Sequence, residues 1–332
     1  MELIGDVKGI KTILSDRNVL CVKYTDSRKS IAAGCIDGTV NLYDVKTHEH
    51  EIALVDTDTK HIDNAVTAIS HSPLRSTQTL TCSYSGGVIK LWDIRTGQCM
   101  FSIKENREIL GVLHHPSQPR FITYGDDAKI NLYDMETQTL EAIYQSSVKL
   151  KVDGHSNKIF SACFHPTNGY EFVTGGWDKN VHFWDMRAPS SSRFISDVFI
   201  CGDGLTINPV GTELVSCEWN KENSLRIWNY STGKLIQSLI LDGYKSQLYC
   251  GKYMNKFYLA VGGSNENIFR LVDRKMKSTV GSVRGLANGV CSLDILPLEV
   301  PKTKRHESVA ELRHILPVVF CDGRNIHEVR FH

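Results

Sequence analysis

One short pattern runs through this chain from end to end. Two apolar runs meet at an Asp/Asn/Gly turn, and the second run usually closes on an aromatic–acid pair. IAAGCIDGTVNLYD ends at Asp44, LTCSYSGGVIKLWD at Asp93, FITYGDDAKINLYD at Asp134 and FVTGGWDKNVHFWD at Asp185. LVSCEWNKENSLRIWN follows, ending at Asn229, then LAVGGSNENIFRLVD at Asp273 and a degenerate seventh copy, VVFCDGRNIHEVRF. The first six endpoints are 49, 41, 51, 44 and 44 residues apart. A period in the forties marks an array of supersecondary units, each unable to bury its apolar surface alone.

Each unit reads as strands. Residues 172–175 and 181–185 are short, β-prone and joined by a tight turn, which is a hairpin signature. Ahead of them lies another apolar run, residues 159–164, and a turn follows such runs at Pro73, Pro116, Pro166 and Pro209. Behind the hairpin comes a weaker strand, such as residues 234–241. Four antiparallel strands per unit make a sheet too small to cover both its faces. Successive sheets must therefore stack, and the closed way to stack them is radial. Seven copies predict seven blades. The seventh copy ends without an outer strand, while residues 9–14 (GIKTIL) precede the first unit unassigned. Pairing the two seals the ring and leaves no open edge there.

Gly154-His155 followed by a hairpin ending in Trp184-Asp185 resembles the WD-repeat pattern. The resemblance covers essentially all 332 residues and is strongest in the copies ending at Asp93 and Asp185. It implies an all-β fold: a seven-bladed β-propeller of four-stranded antiparallel blades, with residues 1–332 as one domain. It also implies that His155, Thr174, Asp178 and Trp184 form a buried hydrogen-bond chain, in which hydroxyl, imidazole, indole and carboxylate satisfy one another. The copy ending at Asp93 carries Cys82 and Gly86 at quartet positions, and the copy ending at Asp134 carries Thr123, Asp127 and Tyr133. Outside the copy ending at Asp185, the blades are expected to rely on packing.

Composition narrows the partners. Hydrophobic residues are 41% and charged residues 23%, the balance of a folded chain. Lys plus Arg (38) and Asp plus Glu (37) nearly cancel, so no overall field draws in nucleic acid or an acidic membrane. No run of 18 apolar residues suggests a membrane span, and the N-terminus has no signal-like apolar run. The ten cysteines are scattered without a C-x-x-C pair, which points to a reducing compartment and away from a zinc knuckle. The expectation is a cytoplasmic or nuclear protein, a monomeric propeller within a larger complex, with protein or peptide partners and no cofactor.

Catalysis finds little support. His155 as a base oriented by Asp178, with Thr174 as nucleophile, uses the atoms that the structural chain already occupies. His48-Glu49-His50-Glu51 offers metal-type ligands, but a solvated charged edge accounts for it, and no metal is expected. The basic run 301–306 (PKTKRH), inside a long insertion of the last unit and followed by the helix-prone ESVAELRH, reads as a solvated loop. Walker-type loops, nucleophile elbows and H-E-x-x-H are absent.

Recognition finds more. The residue before the hairpin turn is, unit by unit, Ile36, Ser85, Asp126, Trp177, Trp219, Asn265 and Cys321. One residue after the first anchor of the innermost strand stand Leu20, Thr67, Leu110, Phe160, Asp203, Tyr249 and Cys291. The family resemblance implies that these two rings line the mouth of the central channel. Phe160, Trp177, Asp203, Trp219 and Tyr249 then share one sector, where aromatic faces and a carboxylate suit an inserted Arg or Lys side chain. Two W-D-x-R sequences, carrying Arg95 and Arg187, resemble the motif by which some WD-repeat proteins join cullin-type ubiquitin ligases as substrate receptors. A propeller-based enzyme is the remaining alternative.

Overall fold

The computed structural model describes residues 1–25, 27–60, 64–74, 78–148, 151–297 and 315–332. Their strands form seven antiparallel sheets, and no helix occurs among the described residues. Blade 4 shows the plan, with Ile159–Phe164 innermost, then Glu171–Gly176, Asn180–Asp185 and Arg193–Ser196 at the outer edge. Each innermost strand touches those of its two neighbours, and Ser292–Ile295 of blade 7 touches Val19–Tyr24 of blade 1. The seven sheets thus close into a β-propeller around a central channel.

Turn chemistry sets the strand ends. The hairpin turns need a left-handed residue, supplied by Gly38 (φ 82°) in blade 1 and by Lys179 (φ 60°) in blade 4. At Gly38 only glycine fits, because a Cβ there would lie 1.8 Å from the Thr59 carbonyl oxygen. The acid that closes a unit also has a local job. Asp93 Oδ1 accepts from the Arg95 and Thr96 amides (2.8 and 3.2 Å), and Asn229 Oδ1 does the same for Thr232 (2.9 Å). These side chains fold the turn into the outer strand.

The core lies between blades. Ile122, Tyr144, Ile159, Phe172 and Trp184 pack together where blades 3 and 4 meet. Val173, Val181, Phe183, Leu205, Leu214 and Trp228 do so where blades 4 and 5 meet. Successive residues of one strand face opposite sides, so Phe172 serves one interface and Val173 the next. Burial on both faces explains why the strands read as nearly continuous apolar runs.

The N-terminal residues form β1 (Glu2–Gly5) and β2 (Val7–Leu14). β2 pairs with Asn325–Phe331, setting Lys11 opposite Glu328 and Thr12 opposite His327, so the two chain ends interlock in blade 7. β1 departs from the four-strand plan. It pairs with Ser278–Arg284 and gives blade 6 a fifth strand. The repeat could not announce it, because ELIG precedes the first unit and all four residues are exposed.

Candidate functional site

In five blades the innermost strand opens with a register shift at the channel mouth. In blade 4, Ile159 lies opposite Gly176 and Ser161 opposite Gly175, which leaves Phe160 without a partner in the ladder. The same register shift isolates Leu20, Thr67, Leu110 and Tyr249 in blades 1, 2, 3 and 6. In blade 5, the exposed Asp203 takes this place, one residue before Gly204, whose carbonyl accepts from the Cys217 amide at 2.8 Å. A bulged residue escapes the alternation that aims its neighbours into the core.

The second ring holds in five blades and fails in two. The amides of Ile36, Ser85, Asp126 and Trp177 donate to the carbonyl just before an innermost strand; Trp219 matches Trp177 by register, but its amide donates to Phe199 in the link between blades 4 and 5. In blade 6, however, Leu248 faces Gly263 as Ile159 faces Gly176, so Ser264 rather than Asn265 is level with Trp177. In blade 7, Cys321 pairs with Ser292 as Gly175 pairs with Ser161. Cys321 therefore lies two residues inward, fully buried, and is no rim residue.

Two aromatic pairs flank Asp203 along the chain. Phe160 stacks on Trp177 at 5.3 Å between ring centres, and Trp219 tilts against Tyr249 of the next blade at 6.5 Å. Trp177 is 45% exposed, and its Nε1–H donates to Cys201 Sγ at 3.1 Å. Trp219 sits deeper. Its Nε1 is shut off from solvent with no acceptor among the described residues. The sequence pattern missed Phe199, which stands edge-on to Trp219 at 6.0 Å. It lies in the link between blades 4 and 5, where no repeat position flags it.

Charge in the channel differs from the simple acidic mouth that the sequence suggests. Asp203 is about half exposed, and its Oδ2 has Lys252 Nζ at 3.7 Å. Lys252 also reaches Asp294 Oδ1 at 3.0 Å, and Lys23 reaches the same oxygen at 3.3 Å. Burial would raise the Asp294 carboxyl, but the two ammonium groups hold it down to about 2. Asp203 is thus the outermost member of an alternating series of charges, with one face open to solvent.

The quartet of blade 4 is a continuous chain. Trp184 Nε1–H donates to Thr174 Oγ1 (2.7 Å), Thr174 meets His155 Nε2 (2.7 Å), and His155 Nδ1 meets Asp178 Oδ2 (2.8 Å). The imidazole and carboxylate side chains are almost wholly buried. Burial disfavours the Asp178 charge, yet the hydrogen bond from His155 holds its carboxyl below the ordinary value. His182 lies against His155 at 4.5 Å, and its Nδ1 and Ser191 Oγ are hydrogen-bonded at 2.9 Å. Burial first, and then His155, push it down to about 3, so it stays neutral.

The expectation that the other blades rely on packing is wrong. In blade 3, Glu105 takes the histidine's place, accepting from Thr123 Oγ1 (2.6 Å) and Tyr133 Oη (2.9 Å), while Arg107 links it to Asp127. In blade 5, Trp228 donates to Ser216 (2.9 Å) and Ser216 to Glu218 (2.6 Å), which also pairs with Arg226. Lys90, Arg226, Arg270, His182 and His327 occupy one register position on the third strand. Lys90 is held by Asp56 and Asp58, Arg270 by Asp242 and His327 by Asp322. A basic residue three places before the closing acid or amide, as in KLWD, HFWD and RIWN, was the available signal.

The remaining candidates have separate partners. Arg187 makes two bonds to Asp185 (2.8 and 2.6 Å) and lies over Tyr170, while Arg95 stands 3.7 Å from Asp93, both arginine side chains being exposed. His48 faces Glu328 at 3.3 Å, whereas His50 meets Asn41 at 3.2 Å, so the two histidines do not converge. The basic run 301–306 and the helix-prone residues after it lie outside the described residues.

Comparison with known proteins agrees with this architecture. Residues 7–133 match a family model described as a β-propeller, the nucleolar protein 10-like N-terminal domain. Among similar proteins, a ribosome biogenesis protein WDR12 homolog of Anopheles gambiae is 26% identical over 192 residues, covering 54% of this chain and 44% of its own length. A striatin homolog of Dictyostelium discoideum is 26% identical, covering 60% and 25% respectively. Target of rapamycin complex subunit wat1 of Schizosaccharomyces pombe is 25% identical, covering 52% of each. The matched regions span from a quarter to about half of these relatives. Residues 146–185 match the WD domain, G-beta repeat, which ends on the Trp-Asp pair that closes blade 4. With seven such blades in a ring, the chain belongs to the WD-repeat β-propeller family.

Proposed function

We propose that this protein is a non-catalytic interaction scaffold that takes a partner peptide at the channel mouth, across Phe160, Trp177, Asp203, Trp219 and Tyr249. The observation that carries this reading is the exposed indole of Trp177, stacked on a bulged phenylalanine that itself packs on the core between blades 4 and 5. Aromatic faces beside a half-open carboxylate suit a basic side chain of the partner. Lys252 already shares Asp203, which favours arginine, whose planar guanidinium can lie on a ring while bonding sideways to the free carboxylate face. WD-repeat relatives named for ribosome biogenesis, striatin and a target of rapamycin complex support a scaffold role. The nucleolar and ribosome-biogenesis descriptions favour a nuclear or nucleolar location over the cytoplasmic one expected from sequence.

Affinity purification identifies the partner, and binding of its arginine-bearing peptide to purified variants tests the site. Trp177→Ala should weaken binding by about 2 kcal/mol or more. Asp203→Lys should abolish binding of a basic peptide through like-charge repulsion while the protein stays folded. Undiminished binding by both folded variants would overturn the proposal. Two other readings have their own tests. Co-purification of a cullin adaptor, lost in Arg95→Ala/Arg187→Ala, would favour the ligase receptor; each arginine lies near its own aspartate, closely paired in the case of Arg187. Turnover of generic ester, phosphate or glycoside substrates, abolished by Asp203→Asn, would favour an enzyme.

A further inference from the structure

Cys291 and Cys321 bring their sulfurs to 3.4 Å of one another, and among the described residues no other two cysteines meet in this way. The backbone fixes the approach. Cys321 lies opposite Ser292 in the ladder, and the Cys291 amide donates back to the Cys321 carbonyl at 3.4 Å. Cys321 is fully buried in the second strand of blade 7. Cys291 is half-buried just before the innermost strand, in the place that Phe160 and Tyr249 occupy in their blades. Cys291 is therefore the member of the pair nearer the channel mouth, and Cys321 lies behind it.

We propose that Cys291 and Cys321 form an oxidation site, at which a hydroperoxide converts the two thiols into an intrachain disulfide. The Cys291 thiolate attacks a peroxide oxygen, so that an S–O bond forms, the O–O bond breaks and an alcohol or water departs. The Cys321 sulfur then displaces the hydroxyl group from Cys291; the S–S bond forms, the S–O bond breaks, and the Cys321 proton leaves in water. Two thiols lose two electrons and two protons, and the peroxide takes them up. The sulfurs must close to about 2.05 Å, the length of a disulfide. The roles follow from exposure, since Cys291 is half-buried and Cys321 fully buried; their contact also holds the Cys291 thiol below its usual value and, with burial, pushes Cys321 well above it. Cys99, Cys163 and Cys201 are also partly exposed, but no second sulfur touches them, so a sulfenic acid formed there has no neighbouring thiol with which to close a disulfide.

The test uses the reduced full-length protein and one equivalent of hydrogen peroxide, followed by alkylation and peptide mapping without reductant. The expected product is ~2 Da lighter and carries the Cys291–Cys321 link. Cys291 should be consumed ~10-fold faster than Cys99. In Cys321→Ser, the same treatment should leave Cys291 as a sulfenic acid trapped by a dimedone-type reagent. Recovery of Cys291 and Cys321 as free thiols, at a dose that has oxidised Cys99, Cys163 or Cys201, overturns the proposal. A disulfide between any other pair does so too. The wild-type map decides the matter even if the serine variant fails to fold.

Discussion

Replacing Trp184 with alanine removes an indole that is 1% exposed, stacks on Phe172 and anchors the Thr174–His155–Asp178 chain. The loss should be about 3–5 kcal/mol of stability. Trp177→Ala, at a rim position, should change stability by no more than ~1 kcal/mol. Chemical denaturation of both variants checks this pair; comparable losses would make Trp177 a core residue. A second residue-scale consequence concerns acid. The unfolded imidazole of His182 takes a proton near pH 6.5, but the folded one holds off until about 3. Stability from this group is complete above the unfolded value and is lost as pH falls from 6.5 toward 3. Blades 1 and 3 carry Asn41 and Asn131 at the same register position, so His182→Asn is a tolerable replacement. Between pH 7 and 5 the wild type should lose about 2 kcal/mol more than this variant. Parallel pH profiles would rule the account out. Trp184 was legible because spacing and family pattern agree on it; the place of His182 in HFWD was readable too, but its partners, Ser191 and His155, come together only in the assembled sheet.

The two N-terminal strands make unequal contributions. β2 completes blade 7 and buries Val7 and Ile13, whereas every residue of β1 is exposed. Deleting residues 1–5 should lower Tm by less than ~3 °C, and deleting residues 1–15 by more than ~10 °C. Melts of the two truncations that coincide would show that β2 does not seal the ring. The elements also divide by legibility. The strands of each unit could be read because apolar runs, turns and closing acid recur with the period. β2 could be read because the seventh unit lacks its outer strand. The acids of blades 2, 3 and 6 escaped, since Asp56, Glu105 and Asp242 lie in links between units, where the repeat sets no position. Phe199 escaped for the same reason.

Across the whole molecule, every apolar cluster is shared by two blades, and the first and last blades share one as well. No blade can therefore unfold without uncovering both neighbours. The full-length protein should melt in one transition, identical by near-UV and far-UV circular dichroism. The 1–15 deletion should separate the two signals, because blade 7 then frays ahead of the rest. A single sharp transition in the truncated protein would argue against coupling through the closure. The bulge at the head of five innermost strands has a different consequence, one for descent rather than for stability. Its residue takes no part in the ladder, so a substitution there alters what the mouth presents while every strand keeps its register. A lineage can retarget such a ring one blade at a time, passing only through folded intermediates, and two descendants with the same skeleton need share no partner.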